Sequence, residues 1–539
     1  MSNVAPTMAG SPSGARASYL DAGTGSGTWF FTLDHKRLGI MYLAGILAAL
    51  VAGGLLAVVL RAEFWTPAES DESLLGVSVF HQLFTFHGLV MTFLFLLPGI
   101  SATLGNFCLP IMLGARNMVF PRLNLLGFWC WIGGAALLIA SVATGRLDLG
   151  WTLMLPYAST TSAAVLLALL AVLLLCASVI LTGLNILATV HCRRADGLGW
   201  RQLPIFVWGL YSAALVQLLA TPVFMAGLLV LLLDQSFGWG LFDPASGGNP
   251  LLFEHLFWFY AHPAIFTMVL PGIAVVSEVI AVHSRKRIFS YGSVAFCCLA
   301  LAAVSFLGWG RHLVTVDPSG EMSVVFSLFA CLGAVPALVI LFCWVATLYK
   351  GRVNVNAGML YALGFMWMFA VGIVSGLFQA TLNTGLNLHD TLFDVAQSHY
   401  LIGGGTIWAL LAGLHHWWPK LTGRMFHERL AFASSLTALV AFNLAFLPFY
   451  LMGLQGVPKR YHEVLEGDGF WQSTATFGTV VLMAALLVAL LNLLASLRSK
   501  QAAPGNPWDA ASLEWQAASP PSAQNFDEPP AARDPYDFA

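Results

Sequence analysis

Charge is what this sequence has least of. Only 9% of its 539 residues are Asp, Glu, Lys or Arg, and the net charge is −2. A soluble domain carries about 25% charged residues. So few charges cannot clothe a water-facing surface of this size, which excludes a soluble globular enzyme. A disordered chain and a nucleic-acid binder are excluded as well, since the latter needs a basic face. There is no CxxC pair among the eight cysteines, so no zinc or dithiol motif is suggested; most lie in or beside apolar runs and read as packing residues. The first 30 residues lack a continuous apolar stretch, so they do not read as a secretory leader and are expected to form a flexible tail, 1–30.

What is abundant is apolar: 58% of the chain is hydrophobic and 13% aromatic. A helix needs about 20 mostly apolar residues to cross a bilayer. Twelve such runs fall near 39–60, 83–110, 124–145, 161–189, 204–233, 253–281, 289–309, 323–348, 357–381, 396–418, 429–450 and 473–496. Lipid forces backbone hydrogen bonds to close within each segment, so helices are expected and strands are not. The reading is an all-α polytopic membrane protein with a twelve-helix domain over 31–498.

Loop charge orients it. Seventeen basic residues, from Lys36 and Arg37 to Arg498 and Lys500, fall in one alternating set of loops, and the other set has Arg61, Arg146, Arg311, Lys459 and Arg460. Basic residues favour the cytoplasmic side. Both termini are therefore expected inside a bacterial inner membrane. Residues 499–539 are polar and rich in Pro, Ala and Ser, and are expected as a cytoplasmic tail that lies on a partner or is disordered.

Ionisable residues inside spans are by default functional. His87, His262, His312 and His399 fall within or at the rim of spans, and a neutral imidazole is a common axial ligand of haem iron. The plainer alternative for any one of them is a hydrogen bond to a neighbouring helix. His415 and His416, beside Trp417 and Trp418, read as interfacial anchors.

The segments WFFTLDHKRLGIMYL, HQLFTFHGLVMTF, GARNMVFPRLNLLGFW, LFWFYAHPAIFTMVLPG, LHDTLFDVAQSHY and FYLMGLQGVPKRY, with the tail NPWDAASLEWQAASPPSAQNFDE, occur in this order. Together they resemble subunit I of haem-copper terminal oxidases, the cytochrome c oxidase family, over about residues 29–530. The resemblance implies twelve helices with inner termini, partners of the subunit II and III type, and electron donation by cytochrome c or a copper subunit. It makes His87, in the HGxxM motif, and His399, before Tyr400, the axial ligands of one low-spin haem. Arg61 corresponds to the arginine that meets the formyl group of haem A, so type A is favoured over B or O. Lys459 and Arg460 correspond to the basic pair that holds haem propionates. His389 and Asp390 match a pair near the family's magnesium site, which also takes a carboxylate from the second subunit.

Other family positions are changed. Gln397 stands where the resemblance places the ligand of the high-spin haem, and an amide ligates iron poorly. Two residues is about 200° of helix, so Gln397 faces away from the haem of His399. HPAIF and WGRH keep His262 and His312 but put Arg311 at the third copper position, and arginine cannot ligate. No copper is expected in this chain. Ala264, Phe266, Asn117 and Ile340 replace a proton-passing glutamate, a cross-linked tyrosine and the aspartate and lysine of two proton paths. Arg311 is expected in the place of the missing copper, within reach of His262, His312 or Gln397; the alternative is that it snorkels to the outer surface. The expected function is that of a respiratory membrane protein that binds a low-spin haem for electron transfer or complex assembly. An active oxidase or nitric oxide reductase with a rewired site, and a haem-free transporter, are the alternatives.

Overall fold

In the computed structural model the described residues are 18–21, 25–65, 74–315, 320–465, 467–499 and 502–538. Arg16, Lys500 and most of the expected tail before residue 25 lie outside them. Among the described residues there is no strand, only isolated bridges. Eleven helices are long and apolar enough to cross a membrane: α1 (His35–Ala62), α2 (Val77–Met112), α3 (Pro121–Thr144), α4 (Ala163–Cys192), α5 (Ile205–Phe237), α6 (Pro250–Ser284), α7 (Tyr291–Leu313), α8 (Glu321–Leu348), α9 (Ala357–Ala380), α11 (Glu428–Leu454) and α12 (Gly469–Ser496). The remaining expected span is α10, an unbroken helical run over 392–422 that carries His399, His415, His416 and Lys420 and is less apolar for that reason. The all-helical membrane fold read from the sequence is what the structure shows.

The ends are set by local chemistry that hydropathy does not see. Asp34, Ser162, Asn356 and Thr391 accept a backbone N–H from the first turn of α1, α4, α9 and α10. Each supplies a partner for a donor that the helix leaves without one. Gly423, at φ 68°, ends α10 in the left-handed region that glycine enters freely. Two helices change pitch near the candidate ligands: α2 is π-helical over Val90–Leu96, just after His87, and α10 over His399–Gly404. Such widened turns gather at functional sites.

Sequential helices pack as neighbours, α3 on α4, α5 on α6 and α11 on α12. In lipid, close approach at small residues takes the place of a hydrophobic driving force between helices. A Cβ at Gly478 would lie 2.4 Å from the backbone nitrogen of Ala445, and one at Gly453 would lie 2.2 Å from that of Phe393.

The C-terminal segment departs from expectation. Residues 502–538 pack on this chain's own bundle, across the end where α1 starts and α6 and α10 finish. Buried Lys420 donates to the carbonyls of Ala517 and Ala518, at 2.7 and 3.3 Å. Buried Lys36 donates to Asn525 Oδ1 at 2.8 Å. Tyr536 donates to Glu278 at 2.7 Å. The segment forms no core of its own, as its composition says, but it completes one whose other half belongs to the helices. Part of the N-terminal tail is also docked: Tyr19 is buried and donates to the Leu421 carbonyl at 2.7 Å.

Packing also corrects the reading of His415 and His416. Neither is an interfacial anchor; each is 1% exposed. His415 Nδ1 bonds the Leu411 carbonyl, His416 Nδ1 lies 3.3 Å from His283 Nε2, and Trp508 and Trp515 of the tail pack on His416.

Candidate functional site

A cavity of 640 Å³ lies among α1, α2 and α6 to α12. His87, His262, His312, His399, Arg311, Gln397, Lys459 and Arg460 all reach it, so the structure brings together residues that the chain spreads over more than 370 positions.

His87 and His399 face each other with ring centroids 6.4 Å apart and planes within 11° of parallel. His87 Nδ1 is 2.9 Å from the Gly53 carbonyl, and His399 Nδ1 is 2.7 Å from that of Val395. A carbonyl only accepts, so each Nδ1 carries the proton and each Nε2 keeps its lone pair. This is how a ligating histidine is oriented by its outer partner. Metal–imidazole bonds of about 2.0 Å, plus about 1.2 Å from nitrogen to ring centre, taken on both sides, require a centroid separation of about 6.4 Å. The pair fits a six-coordinate haem iron.

The other residues assigned to this haem are placed unequally. Lys459 and Arg460 line the cavity, but each already has an acidic partner. The Lys459 ammonium is 2.5 Å from Asp390 and 3.5 Å from Asp394, and Arg460 is 2.6 Å from Asp148. A hydrogen bond from His389, and the Lys459 ammonium, hold the Asp390 carboxyl well below the usual carboxylate range. His389, Asp390 and Asp394 have the spacing of a metal-ligand group, but the ammonium already stands against both carboxylates. Arg61 is not among the cavity residues. Its Nη2 donates to the Gln472 carbonyl, Gln472 Oε1 and Thr476 Oγ1, and its guanidinium lies over Phe64 and Phe449.

Of the six residues at which the resemblance implies a change, Gln397, Arg311, Phe266 and Ala264 line the same cavity. His262 Nδ1 and His312 Nε2 are 3.1 Å apart, a direct hydrogen bond, and His312 stacks on Trp258 at 3.9 Å. Phe266 packs edge-on to His262, and Ala264 lies beside it in the wall. Arg311 lines the cavity rather than snorkelling out, but the expected hydrogen bond to an imidazole or to Gln397 is not made. Among the described residues its one hydrogen bond goes to the Gln379 carbonyl at 3.4 Å, and its Nε has none. The imidazoles have bonded each other instead, and Gln379 in turn donates to Asp394. Gln397 faces α9, its amide 3.5 Å from where a Cβ on Gly376 would stand, while His399 faces α11. Asn117 lies at the bundle end, donating to the Leu33 carbonyl, and Ile340 is fully buried.

Three contributors were not singled out from sequence. Trp258 and Phe446 stack on His312 and His399, and aromatic residues are too common here to stand out. Asp394 did carry a signal, as an acid at the start of a span.

Residues 37–490 match the family described as cytochrome C and quinol oxidase polypeptide I. The chain is 38% identical to cytochrome c oxidase subunit 1 of Thermostichus vulcanus over 513 residues, covering 94% of this chain and 92% of that protein. It is 33% identical to cytochrome c oxidase subunit 1 of Bacillus subtilis (strain 168), covering 94% and 82%. Among solved structures, a heme-copper terminal oxidase determined as a dimer by cryo-electron microscopy matches with a TM-score of 0.71 at 16% identity, over 94% of this chain and 88% of that one. That last likeness is one of fold.

Proposed function

Because the chain belongs to the cytochrome c and quinol oxidase polypeptide I family, we propose that it is a subunit I-like component of a respiratory membrane complex, holding one low-spin haem between His87 and His399. The observation that carries this reading is the geometry of that pair: parallel rings 6.4 Å apart with both Nδ1 atoms tied to backbone carbonyls. A haem bound there supplies one-electron transfer with both axial positions filled. The protein's own part is to fix both tautomers, to wall the site from water with the side chains of α2, α11 and α12, and to set Lys459 and Arg460 at the rim where propionates need cations. In this reading the chain lies in a bacterial inner membrane with both termini inside, beside subunit II- and III-like partners and a cytochrome c or copper-subunit donor.

In this reading the chain has no oxygen-reducing centre of its own and no copper. Gln397 offers an amide in place of an imidazole, and Arg311 brings a fixed positive charge that repels a metal cation beside His262 and His312. Haem type A rests on the resemblance of Arg61 alone, since its guanidinium is engaged with α12. The second reading, an active oxidase or nitric oxide reductase with a rewired site, is favoured by one observation. The 3.1 Å between His262 Nδ1 and His312 Nε2 is also the separation of two ligands on one metal.

Optical spectroscopy with a pyridine-haemochrome count separates the two. The first reading gives one low-spin haem per chain, its spectrum abolished in His87→Ala and in His399→Ala, with little change on adding carbon monoxide and no stoichiometric copper. A stoichiometric carbon monoxide spectrum selects the second. A normal low-spin spectrum in His399→Ala removes the axial assignment.

A further inference from the structure

The axial pair has a feature that ligation alone does not require: its ring planes agree to within 11°. An imidazole tied only through Nδ1 and a metal bond can still swing about the line joining them. On the His87 side the Nδ1 partner, the Gly53 carbonyl, belongs to a different helix, and α1 approaches α2 closely there: a Cβ on Gly53 would lie 2.4 Å from Met91 Sδ. On the His399 side the Val395 carbonyl is one turn back on the same helix, and the second constraint comes from α11. The Phe446 ring lies face-on to the His399 imidazole, centroids 4.2 Å apart and planes 20° apart. Phe446 is braced by Phe442 at 4.6 Å and by Phe449 at 5.9 Å. The next residue of α10 locks the two helices in register, since Tyr400 donates to Asn443 Oδ1 at 2.8 Å.

We propose that Phe446 is a positioning residue that holds the His399 ring parallel to that of His87 and so sets the electronic symmetry of the bound haem. The inference rests on the proposed axial ligation. Its chemical basis is general: a ligand's outer partners tune the metal it binds. Parallel imidazole planes donate π density into the same one of the iron's two dπ orbitals and so split that pair. Crossed planes share the donation and bring the pair together. The ferric protein is therefore expected to show a single rhombic low-spin resonance.

The experiment is electron paramagnetic resonance on the purified ferric protein, as wild type, His399→Ala, Phe446→Leu and Phe446→Tyr, each with its haem-to-protein ratio. A low-spin signal in wild type that disappears in His399→Ala establishes the ligation on which the inference stands; its absence from wild type overturns that reading and this one with it. Given the signal, Phe446→Leu removes the flat face beside the imidazole. It is expected to keep its haem but to give shifted, broadened resonances from more than one ring orientation. Phe446→Tyr keeps the ring and is expected to restore the single rhombic signal. An unchanged resonance in Phe446→Leu refutes the role of Phe446 while leaving the ligation intact. Loss of haem from Phe446→Leu also counts against it, because a residue that only orients the ring is not needed to bind the iron.

Discussion

Replacing Tyr536 by Phe removes one oxygen atom from a clasp between the C-terminal segment and the bundle. Tyr536 is 4% exposed; its hydroxyl donates to Glu278 at 2.7 Å and accepts from the Ile205 N–H at 2.8 Å. Ile205 opens α5, and its N–H is among the donors that the helix cannot satisfy internally. The Phe206 N–H goes to Glu278 at 3.0 Å, so phenol and carboxylate together cap this terminus. Without the hydroxyl, the buried Ile205 N–H loses its 2.8 Å partner and the buried carboxylate loses its 2.7 Å donor. Leaving one such group unsatisfied costs about 1–3 kcal/mol. Taking about 2 kcal/mol, the undocked fraction of the segment rises roughly 30-fold, since each 1.4 kcal/mol is tenfold. Arg533 is exposed and is the only basic residue after Lys500, so trypsin cleavage there releases the peptide 534–539. At low protease the release rate follows the open population. In bilayer-embedded protein, Tyr536→Phe should therefore release this peptide about 30-fold faster than wild type, while phenylalanine at the exposed Tyr157 should not change the rate. Release within twofold of wild type would refute the clasp.

Two further outcomes are expected. Glu514 is 1% exposed and receives Ser512 and Trp417, and burial pushes its carboxyl up. The docked segment thus keeps a proton that the undocked one releases above about pH 4.3, so docking is strongest below that value and weakens as pH rises toward the raised one. Glu514→Gln should flatten this dependence and protect amides 512–518 better at neutral pH, as read by hydrogen exchange corrected for intrinsic rate; an unchanged pH profile would count against it. Gly453→Ala places a methyl 2.2 Å from the Phe393 backbone, which cannot rotate aside, so α10 and α11 must separate. Overpacking of this kind costs about 1–3 kcal/mol or more; the thermal midpoint in detergent should fall, and an unchanged midpoint would show that the contact yields.

The spans were legible because a bilayer imposes one rule on every helix, and a window of about 20 residues measures it. The caps were less so: Asn356 and Thr391 are ordinary polar residues until the first turn after them is known. The docking of residues 502–538 could not be read from composition, which says only that a Pro- and Ala-rich segment builds no core alone. Its partners, Lys36, Lys420 and Glu278, are scattered over α1, α10 and α6, far apart in the chain. The same gap explains His415 and His416. Beside two tryptophans they had the composition of an interface, and only the fold shows His416 under the tail and His415 against Tyr361 and Phe426. In the cavity, sequence named the residues but not their partners. Arg311 was correctly brought inside, yet a hydrogen bond between His262 and His312 satisfied the imidazoles that it was expected to meet.

In the proposed reading one site is kept while residues of another differ, and the geometry bears on how the two can be separate. Gln397 and His399 share α10, two positions apart, and such a spacing sends them to different neighbours: α9 for the amide, α11 for the imidazole. The groups that fix His399 are the Val395 carbonyl and Phe446, and its ring faces His87, which is held by Gly53. None of these is Gln397, Arg311, Phe266 or Ala264. Those four meet a separate set: Gly376 for Gln397, the Gln379 carbonyl for Arg311, His262 for Phe266, and the cavity wall for Ala264. Energies of residues with no shared partner add almost independently, and only contacts couple strongly. Substitution on the α9 side therefore costs the His87–His399 pair little, and the two halves of one cavity are free to take separate courses.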